Sequence, residues 1–588
     1  MLGMKKGMSN KEVAKLLEMV AAAFEVKDED FFRTRAYRNA AASIEHLTSD
    51  IKDIWEEGKL DDIPGVGPNL AQHLDELIRT GGVKHFENEV KGLPEGMFEL
   101  LSLEGVGAKT AYKLAKELKL NRASTAISKL RKALKSGKVK EIEGFGETSE
   151  QEIMKAIESN VGDKDRLLLP EAERVALEVV SYLKKSGLAD EIEVLGSLRR
   201  RMATVGDVDL AVKTDEPVKL MEYLRKFSGI RKVLSTGSKT TMFIHKSGRQ
   251  VDVKTQSPDK WGSMLQHYTG SKLHNIHLRK IALEKGLSLS EHGIKRKDKL
   301  TKYADEEGFY NALGMEYIPP ELREDAGEIE AAMRKKVPAL IELAEIRGDM
   351  HIHTNLEIAT SHDGGISGVD ELLTRAKELG YEYIGLSDHN PKLTGLSEKK
   401  RLDLVKRRSE AIEKQTSSSE TGVKTFVGME VDIRPSGELA VSDEILGLLD
   451  YAIVSVHASF KQSKAEATKR VLAALSHPNV KVFGHPTGRM LNKREGLDYD
   501  WDKVFELCLK RRIALEINSS PERLDLPDML VRDAVKKGVK LVIDTDAHAA
   551  EHMEGMKYGV SVARRGWAEK KAVMNTLTYS EMKEWLAS

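Results

Sequence analysis

One cysteine, Cys508, stands in 588 residues. That excludes an intramolecular disulfide and any zinc site built on several thiolates. No run reaches the roughly 18 consecutive apolar residues of a membrane helix, and the opening MLGMKKGMSNKEV has no apolar signal core. A cytoplasmic location without a membrane partner is therefore expected. Neither sign of charge is in excess: 93 Lys and Arg balance 93 Asp and Glu. Global charge thus says nothing for nucleic acid, and any polyanion-binding surface must be a local patch. Composition is otherwise ordinary for a soluble chain, 40% hydrophobic and 32% charged, and the length suits about three to five domains.

Residues 1 to about 160 read as short amphipathic helices, such as NKEVAKLLEMVAAAF and TAYKLAKELKL, broken by glycine turns. From about 166 to 255 the pattern is mixed α/β, with strands EIEVLG, DVDLAV, TMFIHK and RQVDVKT. A helical, turn-rich piece runs to about 318. The charged segment PPELREDAGEIEAAMRKKVPALIELAEIRG has helical period and connects to the C-terminal part of the chain.

From residue 348, strand-like segments end in metal-ligand residues: DMHIH, EYIGLSDH, KTFVGME, YAIVSVH, KVFGH and KLVIDTDAH. Their terminal side chains are His351, His353, Asp388, His389, Glu430, His457, His485, Asp546 and His548. Imidazoles and carboxylates at the carboxyl ends of parallel strands are what a multinuclear metal site in an α/β barrel requires. RIALEIN supplies a seventh strand, one short of the usual eight. A metal-dependent hydrolase is expected.

Three N-terminal segments share a hydrophobic-Gly-x-Gly turn opening a helix: IPGVGPNLAQHL, LEGVGAKTAYKL and IEGFGETSEQEI. Their glycines (Gly65 and Gly67, Gly105 and Gly107, Gly144 and Gly146) permit tight turns whose helix-start N–H groups can bind a phosphate oxygen. This helix-hairpin-helix device grips the DNA backbone without reading bases. The basic run KLRKALKSGKVK lies nearby. The third copy carries Glu143, Glu147 and Glu150, which repel phosphate, and it is the one most open to a purely structural reading.

In GSLRRRMATVGDVDLAV, Asp207 and Asp209 are spaced to share one face of a strand while Val208 and Leu210 take the other. RQVDVKT carries Asp252 with the same alternation. Carboxylates this close repel unless a cation sits among them, and Mg²⁺ takes a few carboxylates together with substrate phosphates. Gly196 and Ser197, followed by Arg199 and Arg200, supply donors and cations suited to a triphosphate.

Together with HYTGSKLHNIHLRKIALEKGLSLSEHGI, these segments resemble the nucleotidyltransferase palm and thumb of family X DNA polymerases, the polymerase beta-like enzymes. RTRAYRNAAASIEHL with IPGVGPNLAQHL resembles that family's small DNA-binding domain. The C-terminal HIH, SDHNP, GMEVDI, SVHASF, FGHPTGR and DTDAH resemble the PHP (polymerase and histidinol phosphatase) domain. The resemblance implies a multidomain α+β and α/β chain. Its parts are an N-terminal helix-hairpin-helix domain over residues 1–85, a further one over 86–165, a palm over 166–257 and a thumb over 258–318. A linker over 319–346 and a distorted (β/α)7 PHP barrel over 347–588 complete it.

By the same resemblance, Asp207 and Asp209 bind both polymerase metals (Mg²⁺ or Mn²⁺), and Asp252 binds the catalytic one. Ser197 and Arg200 hold the triphosphate, Gly206 is a further nucleotide-binding position, Tyr268 and Gly270 meet the incoming sugar, and Asn275 and Arg279 face the nascent pair and the template minor groove. Arg33 and Tyr37 hold a 5′-phosphate. The PHP ligands are His351, His353, Asp363, His389, Glu430, His457, His485, Asp546 and His548, sharing two to three Mn²⁺ or Zn²⁺ ions. Glu430 is the bridge, Asp388 orients an imidazole, and His362 competes with Asp363. The expected activity is synthesis across short gaps in base excision repair, by a monomer acting on gapped or primer-template DNA and deoxynucleoside triphosphates. A 3′→5′ exonuclease accompanies it, with abasic-site cleavage and 3′-phosphate removal as side activities. Two positions depart from the family. His73 stands where a lyase lysine is found, with Asn69 replacing a phosphate-pocket lysine, so Schiff-base removal of 5′-deoxyribose phosphate is expected to be absent or poor. His267 replaces a frequent aromatic beside Tyr268, which leaves ribonucleotide discrimination open. The competing reading is a DNA-binding protein carrying a small-molecule phosphatase of the histidinol-phosphatase type.

Overall fold

The computed structural model describes residues 8, 10–28, 31–45, 51–56, 58, 60–63, 65–101, 103, 106–160 and 166–588. They divide into two compact units, Met1–Asp165 and Arg166–Ser588. No described helix is long and apolar enough to cross a membrane.

The first unit is helical, with two apolar cores. One gathers Leu17, Phe24, Tyr37, Leu74 and Phe86, the other Met97, Leu100, Leu114 and Leu130. Helix Pro68–Thr80 buries Leu70, Ala71, Leu74 and Leu77, one stripe at helical spacing. It starts with proline in its first turn and stops at left-handed Gly81. The three glycine turns have one construction. Val66, Val106 and Phe145 donate N–H to Ile63, Leu103 and Ile142 at 2.9, 3.1 and 2.9 Å. The helices then open with N–H bonds from Ala71, Ala111 and Glu150 to the carbonyls of Gly67, Gly107 and Gly146.

The second unit begins with a five-stranded sheet: β1 (Glu191–Val194), β2 (Val208–Lys213), β3 (Ile230–Thr236), β4 (Thr240–His245) and β5 (Gln250–Gln256), in the order β1-β2-β5-β4-β3. Only β2 and β5 pair in parallel. Strand β3 escapes the sequence reading because it is an edge strand, exposed nearly throughout, with no buried alternation. A three-stranded antiparallel sheet, β6 (Leu287–Ser290), β7 (Gly293–Arg296) and β8 (Lys299–Thr301), corrects the helical and turn-rich expectation for that stretch. Its strands are only three or four residues long, too short for hydrophobic periodicity to mark them.

Between 319 and 346 the expected helical period gives only helix Glu328–Met333, flanked by 3-10 turns. Pro319, Pro320, Gly327 and Pro338 interrupt the rest. Leu322, Ile329 and Ala332 pack there with Leu278, Phe309 and Tyr310.

Seven parallel strands come next in chain order: β9 (Gly348–Ile352), β10 (Tyr383–Leu386), β11 (Lys424–Asp432), β12 (Tyr451–Ser455), β13 (Val480–Phe483), β14 (Ala514–Asn518) and β15 (Leu541–Asp544). Their near-continuous burial is that of a parallel sheet covered on both faces. The ring is nearly closed through side chain and loop and not through a full ladder. Met350 N–H donates to Asp544 Oδ1 at 2.7 Å, and His353 N–H to the Ala547 carbonyl at 2.8 Å. Met350, Tyr383, Tyr451, Ile453 and Val482 form an inner cluster with Trp585 and Leu586 of the last helix, Tyr579–Ala587. The carboxyl ends of the strands carry the expected ligands.

Candidate metal centres and DNA-binding turns

Parallel pairing of β2 with β5 sets Asp209 opposite Asp252, with buried Val208 opposite Val251 and Leu210 opposite Val253. Asp207 immediately precedes β2. Lys254 Nζ lies 2.8 Å from Asp209 Oδ1 and 3.6 Å from Asp252 Oδ2. Burial opposes its charge, but these carboxylates hold the ammonium above its ordinary range. Burial, then Asp209 and Asp252, pushes the Asp207 carboxyl up. Lys254 offsets one of these three carboxylate charges and leaves two, which is what a divalent ion supplies.

Gly196, at φ +56, brings its backbone against this cluster: a Cβ there would stand 3.1 Å from Asp209 Oδ2. Ser197 and Arg199 share its short helix, Gly196–Arg199. Arg199 is committed to structure, reaching Thr269 Oγ1 and Glu306 Oε2 at 2.7 Å each. Arg200 Nη1 donates to the Thr269 carbonyl at 2.6 Å, beside Gly270, and Nε donates to Glu324 Oε1 at 2.9 Å. Tyr268 receives Lys254 over its ring at 5.1 Å. Asn275 is tied to the His267 carbonyl and to Gln266, and Arg279 is exposed on helix Lys272–Glu284. Gly206 is backed by Arg166, whose Nη1 lies 3.2 Å from where a Cβ would stand. Lys254 and Arg166 were not anticipated. Lys254 is legible in principle, two residues beyond Asp252 and so on its face of β5.

In the barrel, Glu430 is the centre. His389 Nδ1 lies 2.8 Å from it, His485 Nε2 2.9 Å, His351 and His457 Nε2 3.3 Å, and His353 Nε2 3.6 Å. Burial works against the Glu430 anion, but His389, His351 and His457 hold the carboxyl well below its usual range. Asp546 Oδ1 is 3.1 Å from His353 Nε2, and the His353 and His548 rings stack at 4.1 Å. Candidate ligand atoms fall into three overlapping groups, each within 4.8 Å. These are His351, His353, Glu430 and Asp546; His353, His389 and His548; and His389, Glu430 and His457. His351 Nε2, His389 Nδ1, His548 Nε2 and Glu430 Oε2 are buried without a hydrogen bond. Buried polar atoms of this kind need a partner, and the donor set fits several divalent ions sharing one carboxylate.

Asp363 reaches only the rim: its side chain is 82% exposed and Oδ2 is 3.6 Å from His548 Nε2. His362 Nε2 lies 2.9 Å from Asp432 Oδ1 and forms a fourth group with Asp432 and His457. Asp388 corrects an expectation, because its carboxylate faces no imidazole. It accepts from buried Arg408 Nε at 2.6 Å and from Thr354 N–H and Oγ1. The carboxylates that orient imidazoles are Glu516, 2.5 Å from His351 Nδ1, and Asp432, 2.7 Å from His457 Nδ1. Neither was anticipated, although a glutamate inside the buried strand ALEIN was a signal.

Comparison with known proteins reaches nearly the whole chain. Residues 8–83 match a helix-hairpin-helix domain, 97–159 a SAM-like helix-hairpin-helix tandem, 264–324 the DNA polymerase beta thumb and 349–520 the PHP domain. The chain is 33% identical over 586 residues to the DNA polymerase/3′-5′ exonuclease PolX of Bacillus subtilis, covering 98% of this chain and 99% of that one. It belongs to the family X DNA polymerases that carry a PHP domain. Rat DNA polymerase lambda is 24% identical over 316 residues, 48% of this chain and 49% of its own. A probable phosphatase of Thermoanaerobacter sp. (strain X514) is 27% identical over 248 residues, 40% of this chain and 93% of its own. Divalent metals, DNA and deoxynucleoside triphosphates are what these domains imply.

In this family X chain, the helices after Gly67 and Gly107 start without a side-chain cap, which leaves first-turn amides open to phosphate, although Pro68 itself has no N–H. Among the described residues, no atom beyond the chain neighbours lies within 4 Å of a Cβ placed at Gly67, Gly107 or Gly146. Gly65, at φ +86, packs its turn against the Asn39–Ala40 backbone, while Gly144 lies near Lys113 Nζ. Gly105 lies outside the described residues. In the third turn Lys140 partly offsets the acids, its Nζ 3.6 Å from Glu147 and its N–H donating to Glu150. Arg33 stacks on Phe24 at 4.7 Å, and Tyr37 Oη lies 3.2 Å from His73 Nδ1.

Proposed function

We propose that this chain is a DNA-directed DNA polymerase that fills short gaps during base excision repair, with a 3′→5′ exonuclease in its barrel. The observation that carries the reading is the coexistence, in one unit, of the Asp207, Asp209 and Asp252 cluster and the histidine ring about Glu430. In the transferase site, Asp207, Asp209 and Asp252 would hold Mg²⁺ or Mn²⁺. When bound, such ions stabilise the attacking and leaving oxygens of an in-line phosphoryl transfer. Asp252 accepts the proton of the primer 3′-hydroxyl. Ser197, Arg200 and the Gly206 backbone hold the triphosphate, the Tyr268–Gly270 turn receives the sugar, and Asn275 and Arg279 face the nascent pair and the template.

In the barrel, His351, His353, Asp363, His389, Glu430, His457, His485, Asp546 and His548 would hold two to three Mn²⁺ or Zn²⁺ ions for phosphoester hydrolysis at a 3′ end. The same chemistry extends to 3′-phosphates and abasic sites. Gly65, Gly67, Gly105, Gly107, Gly144 and Gly146 serve the DNA backbone, and Arg33 and Tyr37 a 5′-phosphate. The domain limits expected from the sequence belong to this reading, as does a monomer working in the cytoplasm. A DNA-binding protein with a small-molecule phosphatase would use the barrel and leave the aspartate cluster idle.

Two double variants assayed on one gapped substrate test the reading. Asp207→Ala with Asp209→Ala should abolish synthesis and spare 3′ degradation, and His351→Ala with His485→Ala should do the reverse. Loss of both activities in either variant would contradict separate centres.

A further inference from the structure

Helix Met556–Arg565 comes after the Asp546–His548 loop and faces the polymerase part of the same unit. Tyr558 Oη donates to Glu173 at 2.9 Å, Ser561 Oγ accepts from Arg201 Nε at 3.0 Å, and Arg564 Nε donates to Glu321 at 2.7 Å. Arg565 ends the helix with a side chain only 5% exposed. Its Nη2 meets Asp528 Oδ2 at 2.7 Å, and its Nη1 donates to the Arg200 carbonyl at 2.8 Å and to Glu324 Oε1 at 3.0 Å. The same Glu324 oxygen accepts Arg200 Nε at 2.9 Å. Arg200 is thus fixed twice by one barrel side chain, directly at its backbone and through Glu324 at its guanidinium. Its Nη1 is held over the Thr269–Gly270 turn, and among the described residues its Nη2 has no hydrogen-bond partner.

We propose that Arg565 and Glu324 are positioning residues for the incoming nucleotide, so that the nuclease barrel forms the rear support of the polymerase's triphosphate pocket. This rests on the reading of Arg200 as a triphosphate ligand. A guanidinium on a flexible stem loses rotamer freedom when it grips phosphate. One already braced along its Nε edge loses less, and the difference is expressed in affinity. Arginine suits position 565 because its planar fork serves three acceptors at once, which an ammonium cannot do in the same geometry. Neither residue is among the nuclease ligands, so exonuclease activity is a built-in control.

Steady-state incorporation on a one-nucleotide gap, with the full metal-loaded chain, tests the proposal. Glu324→Gln keeps the shape and removes the charge, and it leaves Arg565 paired with Asp528. It should raise KM for the deoxynucleotide roughly tenfold, the scale of one charge-assisted hydrogen bond, with kcat within about threefold. Exonuclease activity should be unchanged. Arg200→Ala should raise KM at least as much, and adding Glu324→Gln to it should add less than about twofold. Arg565→Lys should impair KM less than Arg565→Gln. An unchanged KM in Glu324→Gln, a full additive effect on Arg200→Ala, or a fall in kcat alone would overturn the proposal. If Arg200→Ala itself leaves KM unmoved, the assignment of Arg200 fails first and the proposal falls with it.

Discussion

Glu516 decides which nitrogen His351 offers to the barrel centre. Its carboxylate sits at Nδ1, 2.5 Å away, while Nε2 faces Glu430 at 3.3 Å. A carboxylate that accepts the ring N–H fixes the tautomer and leaves the other nitrogen's lone pair for a metal. Glu516→Gln should therefore weaken metal binding and exonuclease activity by about 10–100-fold, as loss of such a partner does elsewhere. Synthesis on gapped DNA should be unaffected. Metal titration paired with a 3′-degradation assay measures the effect, and wild-type values in both would show that His351 needs no such partner. Apart from Asp363, which only the resemblance supplied and which reaches no further than the rim, the candidate ligands were legible because they stand at or just past the ends of strand-like runs, where a barrel presents its chemistry. Asp388 was misread for a stereochemical reason. Neighbouring residues of an extended chain point to opposite faces, so when His389 turns to Glu430, Asp388 turns away, toward Arg408. Asp432, two residues beyond Glu430, was open to the same rule applied the other way.

Among the elements, those with strong periodicity or a repeated turn were legible. The three hairpins share one hydrogen-bond pattern because each glycine turn feeds its helix in the same way. Strand β3 escaped because it is exposed nearly throughout, and β6–β8 because at three or four residues each they are too short to print a period of two. Helix Pro68–Thr80 bears directly on lyase chemistry. Its sequence, PNLAQHLDELIRT, contains no lysine. His73 stacks on His85 at 4.7 Å and lies beside Tyr37. Burial, then His85, lowers the affinity of His73 for a proton. An imidazole cannot form the stable imine that Schiff-base lyase chemistry requires. Borohydride trapping on DNA bearing a 5′-deoxyribose phosphate should give no covalent adduct. An adduct surviving His73→Ala would mean that an amine elsewhere in the chain performs the elimination.

At the scale of the whole molecule, the five-stranded sheet and the barrel of the second unit share its largest apolar core, beside smaller clusters of their own. A single apolar cluster runs from Leu210 and Val253 in the five-stranded sheet to Leu386, Val431 and Leu515 in the barrel. Metals bound only to the native barrel stabilise whatever unfolds with it, by about 2.7 kcal/mol for one site at a hundredfold excess over Kd. Because the sheet shares that core, chelation should loosen it together with the barrel. The cores of the first unit hold none of the barrel's ligands, so their stability should not depend on those ions. Hydrogen exchange read by mass spectrometry can track metal-loaded and chelated protein strand by strand. Protection in β5 and β11 should fall in parallel after chelation, while helix Pro68–Thr80 exchanges at an unchanged rate. Were β11 to lose protection while β5 kept it, sheet and barrel would be separate cooperative units despite their shared core. The brace from Arg565 to Arg200 would then have to act across a boundary that opens independently, and a steady contribution to nucleotide affinity would be hard to sustain through it.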